Sequence, residues 1–466
     1  MEKVFEEVGS LDRRCYEQFE LSEDILMEHA ASSILRVIEQ KFQKNSSVLI
    51  VSGTGNNGAD GIALARLLVG NYDAKLFLPF GTKSEMGRVQ LQRAQNIGCD
   101  ATISYEVLLE KYDVVVDCLF GSGLNKELDE NSQKIIEIIN KIKAFKIACD
   151  ISSGIDKIGC INSNGFKADI TVTMGALKRS LFTDEVKDYT GDISISNLGL
   201  QRDLYEGETD TYLLKYDDMK LPFRETQNTH KGTFGHLSVV SGSKLGAAKL
   251  CAKAGFIFGA GLVSVIGHAN IDLPDHIMEA HKIPDNTTAI AIGMGLGNYN
   301  KDEIISILEN NISKVIDADL FYEEDILKVL KKDNVILTPH PKEFCSLLSI
   351  CGLANIDIKE LQSNRFKYLK IFCKKYPNIV LLLKGANVLI GYGDNIYINS
   401  YGGSKLSFGG SGDVLAGLIG SLLAQGYSAL DAALTASLAH TRSASLFTYN
   451  NYAMTPDDLI EGIRKI

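Results

Sequence analysis

The chain has 466 residues, of which 45% are apolar and 23% charged, and its formal net charge at pH 7 is −10. This length exceeds what one hydrophobic core covers and predicts two to three domains. The acidic balance argues against nucleic-acid binding. The N-terminal MEKVFEEVGS has no apolar signal segment, and no run of ~20 apolar residues predicts a membrane span, so we expect a cytoplasmic protein.

The nine cysteines are scattered, odd in number and without a CxxC pair. Cys118 lies in the apolar run VVVDCLF, and Cys149 lies in KIACDI. Buried, reduced thiols in a reducing compartment are therefore favoured over a zinc site.

The first long element is a predicted amphipathic helix at 21–42, with Ser22 as its N-cap and acids in its first turn. After it, short apolar runs alternate with helical stretches. The predicted strands are 47–53, 74–80, 113–120, 146–152 and 168–174. Nearly continuous hydrophobic strands of this kind indicate a parallel sheet covered on both faces, in an α/β domain of Rossmann-like, three-layer α/β/α architecture.

A polar, acid-rich passage at about 199–218 separates this pattern from a second one. The second pattern predicts a strand at 236–243, a helix at 246–260, and strands at 262–267, 289–295, 314–320, 334–340 and 379–385. We therefore expect two α/β domains, at 1–205 and 206–466. No internal repeat relates them, because their glycine motifs differ in kind.

The motif GTGNNGADG (53–61) follows a predicted strand and opens a predicted helix. Its glycines match GxGxxG, a weak signal alone, whose backbone N–H groups at a helix start attract phosphate. Ordinary dinucleotide folds also place an acid at the end of the second strand. Here that strand ends in Phe80-Gly81, so a standard dehydrogenase is disfavoured.

Two further loops are expected at the same sheet edge. Asp117 leads into GSGL at 121–124, and Asp150 leads into ISSG at 151–154. Because ligands gather at the carboxyl ends of parallel strands, these oxygen-bearing side chains suit a hard cation or a sugar-phosphate. Any one of these aspartates alone is equally well explained as a helix cap or a turn residue.

The segments LDRRCYE, LMEHAA, GTGNNGADG, DCLFGSGL and DISSG, in this order, resemble the NAD(P)H-hydrate epimerase family over about 5–205. The resemblance implies a potassium ion held by Asn57, Asp117 and Ser153, and Asp150 as the proton-handling group during inversion at C6. The family usually has Pro at Thr54, Asn at His29, Gly at Ala59 and Pro at Ser152. The residues that would contact substrate are Asn56, Asn57, Gly58, Ala59, Asp60, Gly121, Ser122, Gly123, Leu124, Asn125, Lys126, Glu127 and Asp150.

In the second half, GGSGDVLAG (409–417) is followed by an apolar helix. A Gly-Ser-Gly turn at a helix start forms an anion hole for a phosphoryl group, and Asp413 can take the proton of an attacking hydroxyl. The alternative is an N-capping aspartate beside a tight turn. Together with KGANV (384–388), which ends a predicted strand, this motif resembles the ribokinase-like superfamily of small-molecule kinases.

The segment TPHPKEF (338–344) places His340 between two prolines, which fix its backbone and suit a presented side chain. A lone histidine is more often structural. Its position at the end of a predicted strand favours a site role here. Glu343 is either a magnesium ligand or a helix-start acid.

HKGTFGHLSVVSGS, GAAKLCAKAGFIFGAGLVSV, AIGMGLG, TPHPKEF, KGANVLI and GGSGDVLAG look like the ADP-dependent NAD(P)H-hydrate dehydratase over about 210–466. The resemblance implies hydrate-lining residues Ala247, Gly295, His340 and Asp413, and nucleotide-binding residues Lys384, Gly385, Ala386, Asn387, Val388 and Gly412. It also implies Mg²⁺, conversion of ADP to AMP and phosphate, and a homo-oligomer. The family usually has Pro at Met294, Gly at Lys342 and Gly-Thr at Asn387-Val388.

The expected partners are the small molecules NADH hydrate, NADPH hydrate and ADP, with no nucleic acid and no membrane. Two alternatives remain. One is a vitamin or sugar kinase with a nucleotide-binding regulatory domain, which would release a phosphorylated product. The other is a non-catalytic interaction module, as in epimerase-like domains of RNA-decay scaffolds. The sequence does not separate ADP from ATP, or NADH hydrate from NADPH hydrate.

Overall fold

The computed structural model describes residues 1–124, 127–161, 163–267 and 272–466. The chain divides into two compact units. The N-terminal unit is Lys3–Thr209, and the C-terminal unit is Asp210–Ile466 with Met1–Glu2. Among the described residues, no helix has both the length and the apolar character that a membrane span needs.

The N-terminal unit has a parallel sheet of seven strands in the order β4-β3-β2-β5-β6-β7-β9, and β1 pairs in parallel with β8. The strands are β1 (Glu2–Phe5), β2 (Ser47–Ser52), β3 (Asp73–Phe77), β4 (Asp100–Thr102), β5 (Val114–Cys118), β6 (Phe145–Cys149), β7 (Ile170–Met174), β8 (Leu177–Lys178) and β9 (Asp192–Ser196). The helices are α1 (Gly9–Gln18), α2 (Glu23–Lys41), α3 (Asn56–Leu68), α4 (Glu85–Asn96), α5 (Glu130–Lys141), α6 (Lys187–Thr190) and α7 (Arg202–Tyr205).

Both faces of this sheet are buried. Val48 and Ile50 of β2 belong to one apolar cluster, and the alternating Leu49 and Val51 belong to another. Because successive side chains of a strand point to opposite faces, helices must cover the sheet on each side. The predicted three-layer α/β/α architecture is confirmed.

The predicted elements of this half all form, with shifted ends. The helix predicted at 21–42 is α2, with Ser22 at its N-cap position but without a hydrogen bond from the serine side chain. The strand predicted at 146–152 ends at Cys149, because Asp150 has a φ of 69°, outside the extended region. Cys118 and Cys149 are buried in β5 and β6, as predicted.

The C-terminal unit has a second, mixed sheet, in the order β13-β12-β11-β14-β15-β16-β17-β18-β19-β10. The strands are β10 (Thr211–Leu213), β11 (His236–Val240), β12 (Leu262–Ile266), β13 (Met278–Ala280), β14 (Ala289–Ile292), β15 (Ser313–Ile316), β16 (Val335–Leu337), β17 (Ile379–Leu383), β18 (Val388–Tyr392) and β19 (Asn395–Asn399). The helices are α8 (Leu245–Ile257), α9 (Lys301–Glu309), α10 (Pro341–Ile350), α11 (Ile358–Ser363), α12 (Arg365–Lys375), α13 (Ser411–Ala424), α14 (Ala429–Ser445) and α15 (Pro456–Ile463).

Strands β13 to β17 of this sheet run parallel, whereas β18 is antiparallel to both of its neighbours. The strand order reverses between β11 and β14 here, and between β2 and β5 in the N-terminal unit. Ligands of open α/β sheets bind outside the carboxyl ends of the strands at such switch points. Ligand sites are therefore expected at the loops after β2, β5, β11 and β14.

Candidate active sites

The loop after β2 approaches other backbone so closely that it needs glycine at two positions. A Cβ on Gly53 would lie 1.9 Å from the carbonyl oxygen of Leu119, and one on Gly58 would lie 1.9 Å from that of Gly53. Helix α3 starts at Asn56, directly after this turn. The backbone N–H groups of its first turn can receive a phosphate.

Asp117 and Ser153 lie side by side beneath this loop, and both are fully buried. The backbone N–H of Ser153 donates to Asp117 Oδ2 at 2.8 Å, and the Ser153 hydroxyl donates to Oδ1 at 2.7 Å. Burial raises the pKa of Asp117 to about 6, although these hydrogen bonds lower it. The Phe120 N–H donates to the same serine hydroxyl at 2.9 Å, which ties the β5 loop to the pair.

Asn57 lies against the next residue of that loop. A Cβ on Gly121 would be 3.2 Å from Asn57 Cβ and 3.4 Å from Asp150 Oδ2. The side-chain oxygen and nitrogen of Asn57 are both buried and lack a hydrogen-bond partner within the described part of the chain. Buried amide groups without hydrogen-bond partners are rare, so the Asn57 side chain is suited to bind a ligand or an ion.

Asp150 is a buried carboxylate with several donors. Lys178 Nζ donates to its Oδ1 at 2.6 Å, as does the Met174 N–H at 3.2 Å, and the Ser122 N–H donates to Oδ2 at 3.1 Å. Burial opposes ionisation, yet the Lys178 ammonium and these hydrogen bonds hold the pKa of Asp150 below its usual value. Asp150 is therefore ionised at neutral pH.

These groups surround a cavity of about 620 Å³. The predicted substrate residues that line it are Asn56, Asn57, Asp60, Gly121, Ser122, Gly123, Leu124, Glu127 and Asp150. Gly58 and Ala59 are buried in α3 and are not among its lining residues, so the Ala59 methyl does not intrude on it. Asn125 and Lys126 lie outside the described residues.

Sequence reasoning missed Lys178, because β8 is a two-residue strand without a motif. Only the sheet order brings Lys178 to Asp150. It also missed Asp12, which lines the same cavity and accepts a hydrogen bond from the Tyr205 hydroxyl at 2.7 Å.

In the C-terminal unit, Asp413 lies in the first turn of α13, after Gly410 at the N-cap with a φ of 98°. Only glycine adopts such a backbone readily. Burial, then the charge of Asp317, raises the pKa of Asp413 to about 6, while Lys384 opposes the shift. A carboxyl with this pKa can accept a proton near neutral pH.

Lys384 directly follows β17 and lies close to the glycine turn that precedes Asp413. Its Nζ forms a 2.7 Å ion pair with Asp317 Oδ1. A Cβ on Gly412 would lie 3.5 Å from Lys384 Nζ and 3.6 Å from Asp317 Oδ2. The turn before Asp413 therefore faces an ion pair whose carboxylate is buried and whose ammonium is partly exposed. Sequence reasoning missed Asp317, although it follows β15 and the strand-end argument applies to it as well.

His340 caps α10 through a reciprocal pair of hydrogen bonds with Glu343. The Glu343 N–H donates to His340 Nδ1 at 3.2 Å, and the His340 N–H donates to Glu343 Oε2 at 2.8 Å. Because Nδ1 accepts, a neutral His340 carries its proton on Nε2, 3.1 Å from Glu343 Oε1. Burial, then Lys384, lowers the pKa of His340, so the neutral ring dominates. Glu343 acts here as a helix-start acid.

Ala247 and Gly295 meet at the switch point between β11 and β14. A Cβ on Gly295 would be 3.2 Å from Ala247 Cβ, and the Lys244 N–H donates to the Gly295 carbonyl at 3.0 Å. A Cβ on Gly293 would lie 1.8 Å from the Asp317 carbonyl oxygen. The loop after β14 therefore lies directly beside Asp317, which is the ion-pair partner of Lys384.

The predicted nucleotide loop, 384–388, is held from beneath by Arg365 of α12. This buried guanidinium donates to the carbonyl oxygens of Asn387 at 2.9 Å, Lys384 at 3.1 Å and Leu383 at 3.2 Å. Val388 already belongs to β18. Nothing local in the sequence marks Arg365, because it reaches its carbonyl partners only through the fold.

Two different protein families match the two halves of the chain, in agreement with its division into two units. A family described as YjeF-related protein N-terminus matches residues 23–180, and one described as NAD(P)H-hydrate dehydratase matches 237–465. A solved structure titled as ADP/ATP-dependent NAD(P)H-hydrate dehydratase from Bacillus subtilis, co-crystallised with ATP and Mg²⁺, covers 52% of this chain and 92% of its own. Its TM-score is 0.45 and its sequence identity is 24%.

Relatives match the whole length of the chain. The bifunctional NAD(P)H-hydrate repair enzyme of Helicobacter pylori is 43% identical over 100% of this chain and 100% of its own. That of Coxiella burnetii is 32% identical over 91% of this chain and 90% of its own. At this identity and coverage, the chain belongs to the family of bifunctional NAD(P)H-hydrate repair enzymes.

Proposed function

We propose that the protein repairs hydrated NADH and NADPH in two steps. Residues 1–205 interconvert the R and S epimers at C6, and residues 206–466 dehydrate the S epimer while ADP becomes AMP and phosphate. The main support for this proposal is that each unit has its own group of acids near a sheet switch point. These acids lie around Asp150 in the N-terminal unit and around Asp413 in the C-terminal unit. One unit supplies the epimer that the other consumes.

For dehydration, we infer that Asp413 takes the proton of the C6 hydroxyl as that oxygen attacks the terminal phosphorus of ADP. The bond from this phosphorus to AMP breaks. The phosphate ester at C6 then leaves with its bonding electrons, C5 loses a proton, and the C5–C6 double bond forms. The N–H groups at the start of α13 and the Lys384 ammonium stabilise the phosphoryl charge.

The remaining predicted residues are proposed to position the substrates. Ala247, Gly295 and His340 would line the hydrate, and the loop 384–388 with Gly412 would hold the nucleotide. Arg365 supports that proposal, since three backbone carbonyls of β17 and this loop are fixed by one buried side chain.

A potassium ion fits the N-terminal site. Asn57 offers an unpartnered buried oxygen, and Asp117 and Ser153 offer two more oxygen ligands of the type that hard cations prefer. The bound ion would add positive charge beside the phosphates of the substrate.

For Mg²⁺, no cluster of three His, Cys, Asp or Glu side chains in the described ranges forms a ready cage. Glu343 and Asp317 already bond to His340 and Lys384. The ion is therefore proposed to be held mainly by the phosphates of the nucleotide, whose charge it neutralises.

The dehydration rate should depend on pH through Asp413. Its pKa is raised to about 6, so it is protonated below that pH and ionised above it. Because the reaction needs the ionised form, the rate should fall as the pH drops through about 6. The measurement is the pH profile of kcat with saturating ADP and Mg²⁺. A rate that rises toward acid pH would contradict the role of Asp413 as a base.

The proposal as a whole is tested with the full chain in two assays. Without nucleotide, exchange of purified R and S hydrate is followed by chromatography and should exceed the spontaneous rate. With ADP and Mg²⁺, each dihydronicotinamide formed should yield one AMP and one phosphate. A stable phosphorylated product without recovery of nicotinamide absorbance would support the kinase alternative and overturn this proposal.

A further inference from the structure

Asp60 is a carboxyl group without a hydrogen-bond partner in the described part of the chain, although it lines the 620 Å³ cavity. It also lines an adjoining cavity of about 120 Å³. The charged groups that act on it most strongly among the described residues are acids, namely Asp150, Asp12 and Glu23. Burial, followed by these negative charges, raises the pKa of Asp60 well above its usual value. These surroundings favour the neutral form of the Asp60 carboxyl.

Asp150, which lines the same cavity, has a lowered pKa and is ionised. Lys178 is almost completely buried and bonds to Asp150 Oδ1, to the Thr173 hydroxyl at 2.8 Å and to the Met174 carbonyl at 3.2 Å. Among the described residues, the one donor to Asp150 Oδ2 is the Ser122 N–H, which leaves room for one further donor. Two carboxyl groups of one cavity, one neutral and one charged, form a pair suited to acid and base roles.

We propose that Asp60 is the general acid of C6 epimerisation and acts opposite Asp150 as the base, with Lys178 positioning Asp150. This inference rests on the proposed function of the N-terminal unit. It adds a catalytic role to a residue that the motif assigns only to substrate contact.

The step is a ring opening and closure of the hydrate. Asp150 takes the proton of the C6 hydroxyl, the C6–N1 bond breaks with its electrons going to N1, and Asp60 gives N1 its proton. C6 is then an aldehyde. Rotation about the C5–C6 bond turns its other face to N1, and the reverse transfers close the ring with C6 inverted. No oxidant, reductant or nucleotide is consumed.

Asp60→Asn keeps the size of the side chain and removes the acid. Exchange catalysed by the full chain without nucleotide should fall roughly 10²–10⁴-fold after subtraction of the spontaneous rate. Isothermal titration should show that the variant still binds NADPH hydrate at two sites per chain, as the wild type is expected to do, with affinities within a few-fold of the wild type. Asp24→Asn, which changes a carboxylate bonded to Arg93, is the matched control and should exchange normally.

The outcomes separate the two levels of the proposal. If the wild type does not exceed spontaneous exchange, the proposed function of the unit fails. If the wild type does, and Asp60→Asn retains exchange within threefold of it, the role of Asp60 is overturned while the function stands. Loss of exchange together with loss of one of the two hydrate sites per chain in Asp60→Asn would also overturn it, by reducing Asp60 to a binding residue.

The pH profile of the exchange rate tests the role of Lys178, because a purely structural role would leave this profile unchanged. The titratable groups that act on the pair are Asp12, Tyr16, Glu23, Cys118, Cys149, Lys178 and Tyr205. Exchange needs Asp60 protonated and Asp150 ionised, so it should fall as pH rises through the raised pKa of Asp60. It should also fall at acid pH, through the lowered pKa of Asp150.

Lys178→Met removes the ammonium, so the acid limb of the exchange profile should move toward neutral pH. Lys178→Arg keeps a positive charge, so its acid limb should stay where it is in the wild type. Thermal unfolding checks that each variant folds. A folded Lys178→Met protein with an unshifted acid limb contradicts the positioning role of Lys178. If Lys178→Met does not fold, Lys178→Gln replaces it, because it removes the charge and keeps a polar donor beside Asp150; a shifted acid limb then supports the role and an unshifted one contradicts it.

Discussion

Asp413→Asn is expected to lower ADP-dependent dehydration roughly 10²–10⁴-fold and to leave epimer exchange unchanged. The substitution keeps the size of the side chain but removes the proton acceptor from the turn that faces Lys384 and Gly412. The measurement is recovery of dihydronicotinamide absorbance from S-hydrate at saturating ADP and Mg²⁺. Exchange without nucleotide is recorded on the same preparation.

The matched control tests whether Asp413 is simply a helix-start acid. Asp431 occupies the first turn of α14, as Asp413 does in α13, and is the same residue type in the same unit. Asp431→Asn removes a comparable interaction with a helix dipole. It should leave dehydration within twofold of the wild type. Equal, small losses in both variants would reduce Asp413 to a capping residue and refute the proposed chemistry.

Lys384→Met is expected to have two separable effects. It leaves the carboxylate of Asp317, with a side-chain exposure of 4%, without its ion-pair partner. The cost should be about 2 kcal/mol, because Lys384 is itself partly exposed, and should lower the melting temperature of the C-terminal unit by roughly 4–8 °C. Loss of the ammonium beside the predicted nucleotide loop should also raise the KM for ADP at least tenfold.

A double variant separates stability from nucleotide use. Lys384→Met combined with Asp317→Asn removes both charges of the pair, so most of the lost melting temperature should return. Dehydration at low ADP should remain impaired. If the double variant regains a normal KM for ADP, Lys384 serves only to neutralise Asp317 and does not bind the nucleotide.

The sequence predicted the sites best where a strand end coincides with a glycine turn. Asn57, Asp117 and Asp413 each follow or end a strand or begin a helix, and the parallel order of the strands gathers such residues at one edge. The same argument reaches Asp317 after β15. It was overlooked because KVIDADL is a short apolar run without a glycine motif.

Other parts could not be predicted from local pattern. Lys178 and Arg365 are cations buried far along the chain from Asp150 and Asn387, and only the tertiary fold brings them there. The β18–β19 hairpin was missed as well, because Gly391 interrupts β18 and asparagines begin and end β19, so neither shows the continuous apolar run of the parallel strands. Asp60 was predicted to contact substrate, but its missing partner and its acidic neighbours are visible only in three dimensions.

Recovery of a racemic hydrate mixture tests the central claim, that two sites on this chain act in sequence, most directly. Equal amounts of R- and S-NADH hydrate are mixed with the full chain, ADP and Mg²⁺, and the absorbance of the reduced nicotinamide is followed. We expect full recovery, faster than spontaneous epimerisation allows. A stall near half recovery, or no recovery with ADP, would contradict the assignment of one unit or the other.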